Sequence, residues 1–361
     1  MSSKDIEDIY LLSPTQQGML FHTLYAPDSP VYFTQTSWTI HADLDAAALQ
    51  AAGQAVMDRH PILRSACLWE GRPKPLQFVR RHVKLPFEQL DWRGLSPVEQ
   101  EERIESFLIE DQQRGFQLSQ APLLRHTLIR LSDQDYKFIW SNHHLLLDGW
   151  SQFAVLKELL MEYEAIRNGV PVKIETPRPY RDYISWLRQQ DISQAESYWR
   201  EYLKGFRVPT PLGVIPKQTN DGETKEAKDS FGKGQLLIEA ETTGRLRTLA
   251  RQQQLTLNTL VQGAWALLLS RYSGQPDVLF GSVVSGRPAS LSGVEEMVGL
   301  FINTLPVRVQ VEDEARADAW LRGLQEQQAQ MRQYEYTPLV EVQRWSEVEH
   351  GTPLFENYVV F

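Results

Sequence analysis

The most informative segment of the chain for its fold is His143-His144-Leu145-Leu146-Leu147-Asp148-Gly149-Trp150-Ser151. It follows residues 136–142, whose aromatic and branched side chains predict a buried strand. It precedes residues 151–169, where apolar residues recur at helical spacing until a glycine ends the pattern. Two histidines, a carboxylate and a glycine therefore meet in one strand-to-helix turn, which favours a base-assisted transfer site over a generic surface turn.

The turn offers more than one assignment for its polar residues. Adjacent residues of a strand point to opposite faces, so only one of His143 and His144 is expected to face a reaction space. A neutral histidine that accepts a proton from an amine or hydroxyl contributes roughly 10²- to 10⁴-fold in rate. Asp148 could orient the histidine, fix the turn or pair with an arginine. Alternatively, the cluster is a polar cap in which Asp148 is only the N-cap of the helix.

Gly149 and the helix after it would stabilise negative charge that develops on a substrate during the reaction. Gly149 permits a sharp backbone path and presents its amide without a side chain in the way. The N-terminus of the following helix carries partial positive charge, which would stabilise a developing oxyanion.

Composition excludes several classes of function. A net charge of −9 over 361 residues argues against a nucleic-acid or anionic-membrane partner, because both require a basic face. The single cysteine, Cys67, excludes an internal disulfide and a multi-cysteine metal site, and the eight histidines show no zinc-type spacing. The chain has neither an apolar run of membrane-spanning length nor a signal peptide, so we expect no metal, no membrane partner and a cytoplasmic location.

Helix and strand patterns alternate along the chain, which predicts a mixed α/β fold in two lobes. Ser13-Pro14-Thr15-Gln16 predicts the first helix, with an N-cap serine, a proline at the first helical position and a glutamine three residues after the cap. The predicted boundaries are an N-terminal lobe at 1–170, a proline-rich linker at 171–180 and a C-terminal lobe at 181–361.

The second lobe contains three further predicted features. Residues 217–233 are polar and predict an exposed loop, and residues 235–240 predict a strand. The chain stops within an apolar run at residues 358–361, so we expect the C-terminal lobe to be truncated.

Seven segments of the chain resemble the ordered motifs of the condensation domains of nonribosomal peptide synthetases. Arg-His-Pro-Ile-Leu-Arg at residues 59–64 is similar to the family's RHxxLR motif, and the quoted stretch is similar to its HHxxxDG motif. HHxxxDG alone also occurs in related acyltransferases, whereas the ordered set is far more specific. The segments are residues 12–22, 59–64, 143–151, 179–186 and 298–306, with weaker similarity at 335–339 and 353–357.

The resemblance implies a pseudo-dimer of two chloramphenicol-acetyltransferase-like lobes with an active-site tunnel. It implies amide bond formation between a donor acyl or peptidyl thioester and an acceptor aminoacyl thioester, with L-to-L elongation as the expected subtype. The implied partners are donor and acceptor carrier proteins and an adjacent adenylation domain. No tightly bound cofactor is implied, because the substrates are attached to the phosphopantetheine arms of the carrier proteins.

The resemblance also assigns roles to individual residues. His144 would contact the attacking amine, either as a general base or as an orienting group, while His143 would lie inward. Asp148 would pair with an arginine of the RHxxLR motif, Arg59 being favoured over Arg64, and Gly149 would stabilise the oxyanion through its amide. These expectations make His143, His144, Asp148 and Gly149 the candidate catalytic set.

Asn303 is a candidate for the substrate channel, or a strand-end asparagine that satisfies backbone groups.

Two other functions fit the same motifs. One is an HHxxxDG acyltransferase that uses a soluble acceptor and a donor such as an acyl-coenzyme A. The other is a non-catalytic module that recruits partner enzymes to a peptide synthetase. The intact histidines, Asp148 and Gly149 disfavour the second, because such modules tend to have damaged motifs.

Overall fold

The described residues form two compact units, each built from more than one segment of the chain. The first unit comprises Met1–Gln190 and Ser285–Ile302, and the second comprises Asp191–Val284 and Asn303–Phe361. The structure is a computed structural model that describes residues 5–212, 232 and 234–361. The loop predicted over residues 217–233 lies outside the described residues except at Gly232.

The first unit has a mixed α/β architecture. Its strands are β1 (Ile6–Leu11), β2 (Phe33–His41), β3 (Ser65–Leu68), β4 (Leu76–Arg80), β5 (Phe87–Asp91), β6 (Leu124–Arg130) and β7 (Asp135–His143). Its helices are α1 (Pro14–Tyr25), α2 (Ala46–Arg59), α3 (Pro97–Arg114), α4 (Gly149–Asn168) and α5 (Tyr180–Leu187). The strands form a four-stranded sheet of order β2-β7-β6-β5 and a three-stranded sheet of order β1-β4-β3.

Strand β7 carries the HHxxxDG stretch into the interior of the first unit. It pairs antiparallel with β2 on one side and with β6 on the other, and Phe33 of β2 stands opposite His143. Residues 138–143 are all buried, so β7 is covered on both of its faces at the end where His143 lies.

Helix α1 starts as its sequence predicts. The Ser13 side chain accepts a hydrogen bond from the Gln16 backbone, and the Gln16 side chain accepts one from the Ser13 backbone. This reciprocal capping box and the proline at the first helical position fix where the chain turns into α1. The prediction of a helix start at Ser13 is confirmed.

The second unit also combines helices with a sheet. Its described helices are α6 (Ile192–Tyr202), α7 (Ala240–Gln252), α8 (Leu257–Ser273), α9 (Ala317–Met331) and α10 (Leu339–Trp345). Its described strands are β8 (Asp277–Val284), β9 (Asn303–Gln310) and β10 (Tyr358–Val359), in the order β10-β8-β9. Trp199 of α6 and Phe280 of β8 are fully buried in its apolar core. None of the described helices is long and apolar enough to cross a membrane.

The observed division of the chain differs from the predicted linker at residues 171–180. Helix α5 belongs to the first unit, because Tyr180, Tyr183 and Ile184 lie in the same apolar core as Phe301. The change of unit therefore falls after Gln190.

The strand predicted over residues 235–240 is wrong. Ala240 begins α7, and Leu236 and Leu237 are 87% and 85% exposed. A short apolar run becomes a strand only when a neighbouring strand pairs with it, and no described strand does so here.

His126 of β6 is a buried histidine without a hydrogen-bond partner on either ring nitrogen among the described residues. Its ring lies edge-on to Phe138 and Trp140, with centroid distances of 5.1 and 5.2 Å. Burial lowers the pKa of His126 from its usual value of 6.5 to about 3. The unfolded chain therefore binds a proton at His126 between these pH values, whereas the folded chain does not.

We expect acid to destabilise the protein through His126. As pH falls below about 6.5, the free energy of unfolding should decrease by about 1.4 kcal/mol per pH unit from this residue alone. Urea unfolding at several pH values should show that His126→Leu lacks this contribution, while the same substitution at the exposed His82 retains it. Equal pH slopes for the wild type and His126→Leu would contradict the prediction.

Candidate active site

The turn between β7 and α4 is anchored by apolar side chains and by a capping carboxylate. Leu145, Leu146 and Leu147 are 1%, 0% and 3% exposed, so the turn is held in the core of the first unit. Asp148 is the N-cap of α4, and its Oδ1 accepts a hydrogen bond from Ser151 N at 2.8 Å. That bond satisfies one of the amides that a helix start leaves without a partner.

His143 is buried and hydrogen-bonded through both ring nitrogens. Its Nδ1 accepts a hydrogen bond from Leu145 N at 3.2 Å, and its Nε2 lies 3.3 Å from Thr23 Oγ1. The Thr23 hydroxyl donates to Met19 O at 2.8 Å, so its oxygen is left to accept from His143 Nε2. Burial, assisted by the neighbouring His144, lowers the pKa of His143 to about 3. His143 is therefore neutral, with its proton on Nε2.

His144 is the partly exposed member of the pair. Its backbone amide donates to Tyr32 O at 2.9 Å. Its Nδ1 is buried and has no hydrogen-bond partner among the described residues. The idea that Asp148 orients this imidazole is not supported, because the hydrogen bonds and ion pair of the Asp148 carboxylate go to other groups.

Asp148 is 1% exposed and ties the start of α4 to the segment at residues 285–302. Its Oδ2 accepts a hydrogen bond from Phe301 N at 3.0 Å, and its Oδ1 lies 3.5 Å from Arg287 Nη2. Its backbone amide donates to Gly299 O at 3.1 Å. The carboxylate thus binds two backbone amides and one guanidinium, which compensates its burial.

Arg287 is the cation that the turn depends on. Its Nη2 donates to Ser151 Oγ at 2.8 Å, and its Nη1 donates to Met297 O at 2.9 Å and to Val294 O. Its Cζ lies 3.9 Å from the centroid of the Phe301 ring, within the range of a cation–π interaction. Burial lowers the pKa of Arg287 from its usual value, and the Asp148 carboxylate opposes that shift.

The predicted pairing of Asp148 with Arg59 is wrong. Arg59 Nη1 donates to Glu158 Oε2 at 2.9 Å, and its Nη2 donates to Glu162. Arg59 stands at the end of α2, which packs against α4. Glu158 lies about 15 Å further along the axis of α4 than the Asp148 cap, because each residue advances an α-helix by about 1.5 Å. Arg59 therefore braces α2 against the middle of α4.

Arg64, the alternative partner, is also engaged elsewhere. Its Nε donates to Met57 O at 3.2 Å, and its Nη1 donates to Glu7 Oε2 at 2.7 Å and to Arg81 O at 3.1 Å. These contacts hold the end of α2 against β1 and the residues after β4. Neither arginine of the RHxxLR motif contacts Asp148.

Asn303 belongs to the second unit, and its side chain forms hydrogen bonds with backbone groups. Its Nδ2 donates to Glu335 O at 2.9 Å and to Thr337 O at 2.7 Å, and its Oδ1 accepts from Thr304 N at 2.9 Å. This geometry favours the strand-end alternative over a role in a substrate channel.

Gly149 is the exposed first residue of α4. A Cβ atom added there would meet no heavy atom within 4 Å, so the fold does not require a glycine at this position for space. As the first residue of the helix, its amide has no acceptor within α4. Gly149 therefore presents a donor at the positive end of a helix dipole.

Sequence reasoning missed Arg287, Ser151 and Gln16. Gly286-Arg287-Pro288 after a strand signals a turn, but a turn signal does not show that the arginine side chain points inward. The capping pattern identifies Gln16 as a helix-start residue and gives no hint that its amide also reaches Leu145 O at 2.9 Å. These contacts join residues that lie far apart along the chain.

The described residues contain no group of three or more histidine, cysteine, aspartate or glutamate side chains that could hold a metal ion. The chemistry supported by the geometry is that of an imidazole and backbone amides at a helix N-terminus.

A family model for the condensation domain matches residues 6–361. One of the linear gramicidin synthase proteins of Brevibacillus parabrevis is 48% identical over 99% of this chain, and bacitracin synthase 3 of Bacillus licheniformis is 37% identical over 99%. Surfactin synthase subunit 3 of Bacillus subtilis is 37% identical over 99% of the chain. The aligned region is 7%, 6% and 28% of these relatives, so the chain spans only a small part of their length.

Two solved condensation domains have a similar fold. The starter condensation domain of rhizomide synthetase gives a TM-score of 0.78 at 19% identity, over 98% of this chain and 78% of that one. The first condensation domain of the calcium-dependent antibiotic synthetase, in complex with a substrate analogue, gives a TM-score of 0.77 at 17% identity. The alignment covers 98% of this chain and 80% of that one. The predicted mixed α/β, chloramphenicol-acetyltransferase-like fold is confirmed.

We expect Asp148 and Arg287 to be energetically coupled. Asp148→Asn preserves an N-cap side chain but leaves Arg287 without a counter-charge, and Arg287→Met leaves the buried carboxylate uncompensated. Each single substitution should lower the free energy of unfolding by about 3–5 kcal/mol. The double variant should lose clearly less free energy of unfolding than the sum of the losses in the two single variants.

Urea unfolding of the four proteins measures this coupling. The control is Asp45→Asn, because exposed Asp45 caps α2 through a 3.0 Å hydrogen bond from Ala48 N but has no buried cation beside it among the described residues. That control should change stability by only a few tenths of a kcal/mol, since asparagine and aspartate cap equally well. Additive losses for Asp148 and Arg287 would refute the coupling.

Proposed function

The chain belongs to the condensation-domain family, the acyltransferases that form amide bonds in nonribosomal peptide synthetases, and we propose that it joins two carrier-bound substrates. Its membership confirms the family predicted from the ordered motifs. The observation that carries the proposal is the position of His144, a partly exposed imidazole in the turn before the N-terminus of α4.

The proposed reaction is attack of an amine on a thioester. The amine nitrogen of the acceptor aminoacyl group forms a bond to the donor carbonyl carbon, and the carbon–sulfur bond of the donor breaks. The amine gives up its proton, and the donor carrier's thiolate takes one up. The peptide leaves on the acceptor arm, one residue longer. A thioester is already activated, so holding the two groups together can supply much of the acceleration.

The role proposed for His144 follows from what its ring does and does not contact. In a catalytic triad, a carboxylate binds the second nitrogen of the histidine and stabilises the imidazolium. Here Nδ1 has no partner among the described residues, and Asp148 binds Ser151, Phe301 and Arg287 instead. We therefore propose that His144 accepts a hydrogen bond from the amine and orients it rather than holding a full positive charge.

Gly149 is proposed to act on the donor carbonyl. As that carbonyl becomes tetrahedral, its oxygen gains negative charge, which a backbone amide at a helix N-terminus stabilises. The free space around the Gly149 Cα is consistent with a substrate atom approaching that amide.

The proposed partners are a donor and an acceptor carrier protein, each with a phosphopantetheine arm, and an adjacent adenylation domain. The similarity to gramicidin, bacitracin and surfactin synthases supports such a setting. L-to-L elongation in the assembly of a peptide antibiotic or a similar secondary metabolite is the proposed subtype.

We expect His144→Ala to lower the rate of transfer by about 10²-fold, because losing the group that orients the amine misplaces a reacting group, and a misplacement of about 1 Å costs roughly that factor. The assay mixes a loaded donor carrier and a loaded acceptor carrier with the chain and follows the acceptor by intact-protein mass spectrometry. The matched control is His82→Ala, an exposed histidine outside the turn. Wild-type transfer by His144→Ala would refute the role of His144.

A second arm of this assay replaces the loaded acceptor carrier with a free amino-acid thioester. Transfer should be much faster to the carrier-bound acceptor. Equal rates would contradict the carrier requirement and favour an acyltransferase with a soluble acceptor.

We expect Gly149→Ala to slow transfer without loss of stability. The added methyl group meets no protein atom, and alanine replaces glycine in a helix with a gain of roughly 0.5–1 kcal/mol, so folding should be unimpaired. The methyl group would instead stand where the donor carbonyl approaches. Gly323→Ala in α9, also without atoms within 4 Å, is the control. Thermal unfolding and the transfer assay together test this, and an unchanged rate would remove Gly149 from the site.

A further inference from the structure

Two side chains of α1 reach the turn that carries His144. Gln16 and Thr23 lie about two helical turns apart, so they stand on the same face of α1. Both are engaged with the turn through side-chain hydrogen bonds. No charged group takes part in these two contacts, which makes them neutral hydrogen bonds of fixed direction.

Thr23 acts on the turn through His143. Its hydroxyl donates to Met19 O at 2.8 Å, which directs the oxygen lone pairs toward His143 Nε2 at 3.3 Å. With the proton held on Nε2, His143 Nδ1 presents a lone pair, and that lone pair accepts from Leu145 N at 3.2 Å. The opposite tautomer would place two N–H groups against each other at Leu145. Thr23 therefore selects the tautomer that the turn requires.

Gln16 acts on the same residue, Leu145, from the other side. Its Nε2 donates to Leu145 O at 2.9 Å and to Gln77 Oε1 at 3.1 Å, while its Oε1 accepts from Ser13 N at 2.9 Å in the capping box. Gln16 is 0% exposed, so no water competes for these bonds. The amide of the residue after His144 is thus held by His143, and its carbonyl by Gln16.

His144 itself makes a backbone hydrogen bond from its amide to Tyr32 O at 2.9 Å. Its ring nitrogen Nδ1 has no partner among the described residues, so hydrogen bonding at Nδ1 does not fix the ring. The backbone on either side of His144 then contributes to the orientation of the imidazole, and α1 holds the backbone that follows it through Leu145.

We propose that Gln16 and Thr23 are positioning residues for His144, and that α1 sets the place of the imidazole through His143 and Leu145. The inference rests on the proposed function, since it concerns how the proposed amine-binding histidine is held. Helix α1 would then affect the rate of transfer by holding His144 in place, in addition to stabilising the fold.

The first test is spectroscopic and needs no substrate. In protein labelled with nitrogen-15 at histidine, the wild type should show His143 as the neutral tautomer with its proton on Nε2. Thr23→Val removes the acceptor and should give a mixture of His143 tautomers and a shifted His144 ring resonance. Thr23→Ser restores the hydroxyl and should restore both signals. Thr248→Val is the control, because Thr248 donates to the carbonyl of Gly244, at 2.9 Å, in a helix of the second unit.

The second test is kinetic and uses the carrier-to-carrier transfer assay. Thr23→Val should lower kcat by about 10- to 100-fold with little change in the KM for the acceptor carrier, because a small displacement of a reacting group costs rate rather than binding. Thr23→Ser should recover most of the rate.

Gln16→Glu tests the other contact with an almost isosteric change. Glutamate keeps the capping box, in which it is a normal partner for serine, but replaces the donor to Leu145 O with an acceptor. We expect kcat to fall by a similar factor. Gln100→Glu is the matched control, since Gln100 donates to Trp92 O at 3.0 Å and to Leu131 O at 2.8 Å, away from the turn. Gln100 is partly buried, so its variant should lose less stability than Gln16→Glu and should keep its kcat.

The outcomes separate this inference from the proposed function. A wild type that transfers nothing would overturn the proposed function, and the inference would then be decided by the histidine spectra alone. Unchanged His143 and His144 resonances in Thr23→Val would overturn the inference even if the wild type is fully active. A kcat loss equal in Gln16→Glu and Gln100→Glu would also overturn it, because the effect would then reflect stability only.

Discussion

The Asp148 carboxylate is buried at the start of α4, where an uncompensated charge would strongly destabilise the fold. Asp148 is 1% exposed, so its carboxylate oxygens need hydrogen-bond donors and its negative charge needs a nearby cation. The donors are Ser151 N and Phe301 N, and the cation is Arg287. The same carboxylate starts α4 and holds residues 285–302 against it. Without that arrangement, the helix N-terminus would not lie beside the histidine turn, and the amide of Gly149 would have no defined direction.

The two histidines of the motif have different roles, one structural and one accessible to a substrate. His143 is buried, neutral and hydrogen-bonded on both nitrogens, so it behaves as a part of the scaffold. His144 is partly exposed, and the Asp148 carboxylate does not engage its ring, so the imidazole remains available to a substrate. A one-residue shift in the pairing register of β7 would exchange these environments, because neighbouring residues of a strand face opposite sides of the sheet. The register that places His143 opposite Phe33 is therefore as important to the chemistry as the identity of either histidine.

The sequence predicted those features that depend on local pattern. The capping box at Ser13, the strand before His143 and the helix after Asp148 follow from short-range spacing, and all are present in the structure. The partner of Asp148 could not be found in this way, because Arg287 lies far along the chain and a turn signal does not show where its side chain points. The motif favours Arg59 as that partner, yet the packing of α2 on α4 directs the Arg59 side chain to Glu158. The apolar run before Ala240 failed as a strand because a strand also needs a neighbour.

The discontinuous first unit has a consequence for synthesis on the ribosome. Residues 1–190 contain Asp148 and are translated before Arg287 and Phe301, which follow the whole of the second unit's first segment, Asp191–Val284. Until then, the nascent chain holds an acidic group that lacks its cation and one of its backbone donors. The first unit can therefore complete the contacts at the N-terminus of α4 only after residues 285–302, the segment between β8 and β9, have been translated.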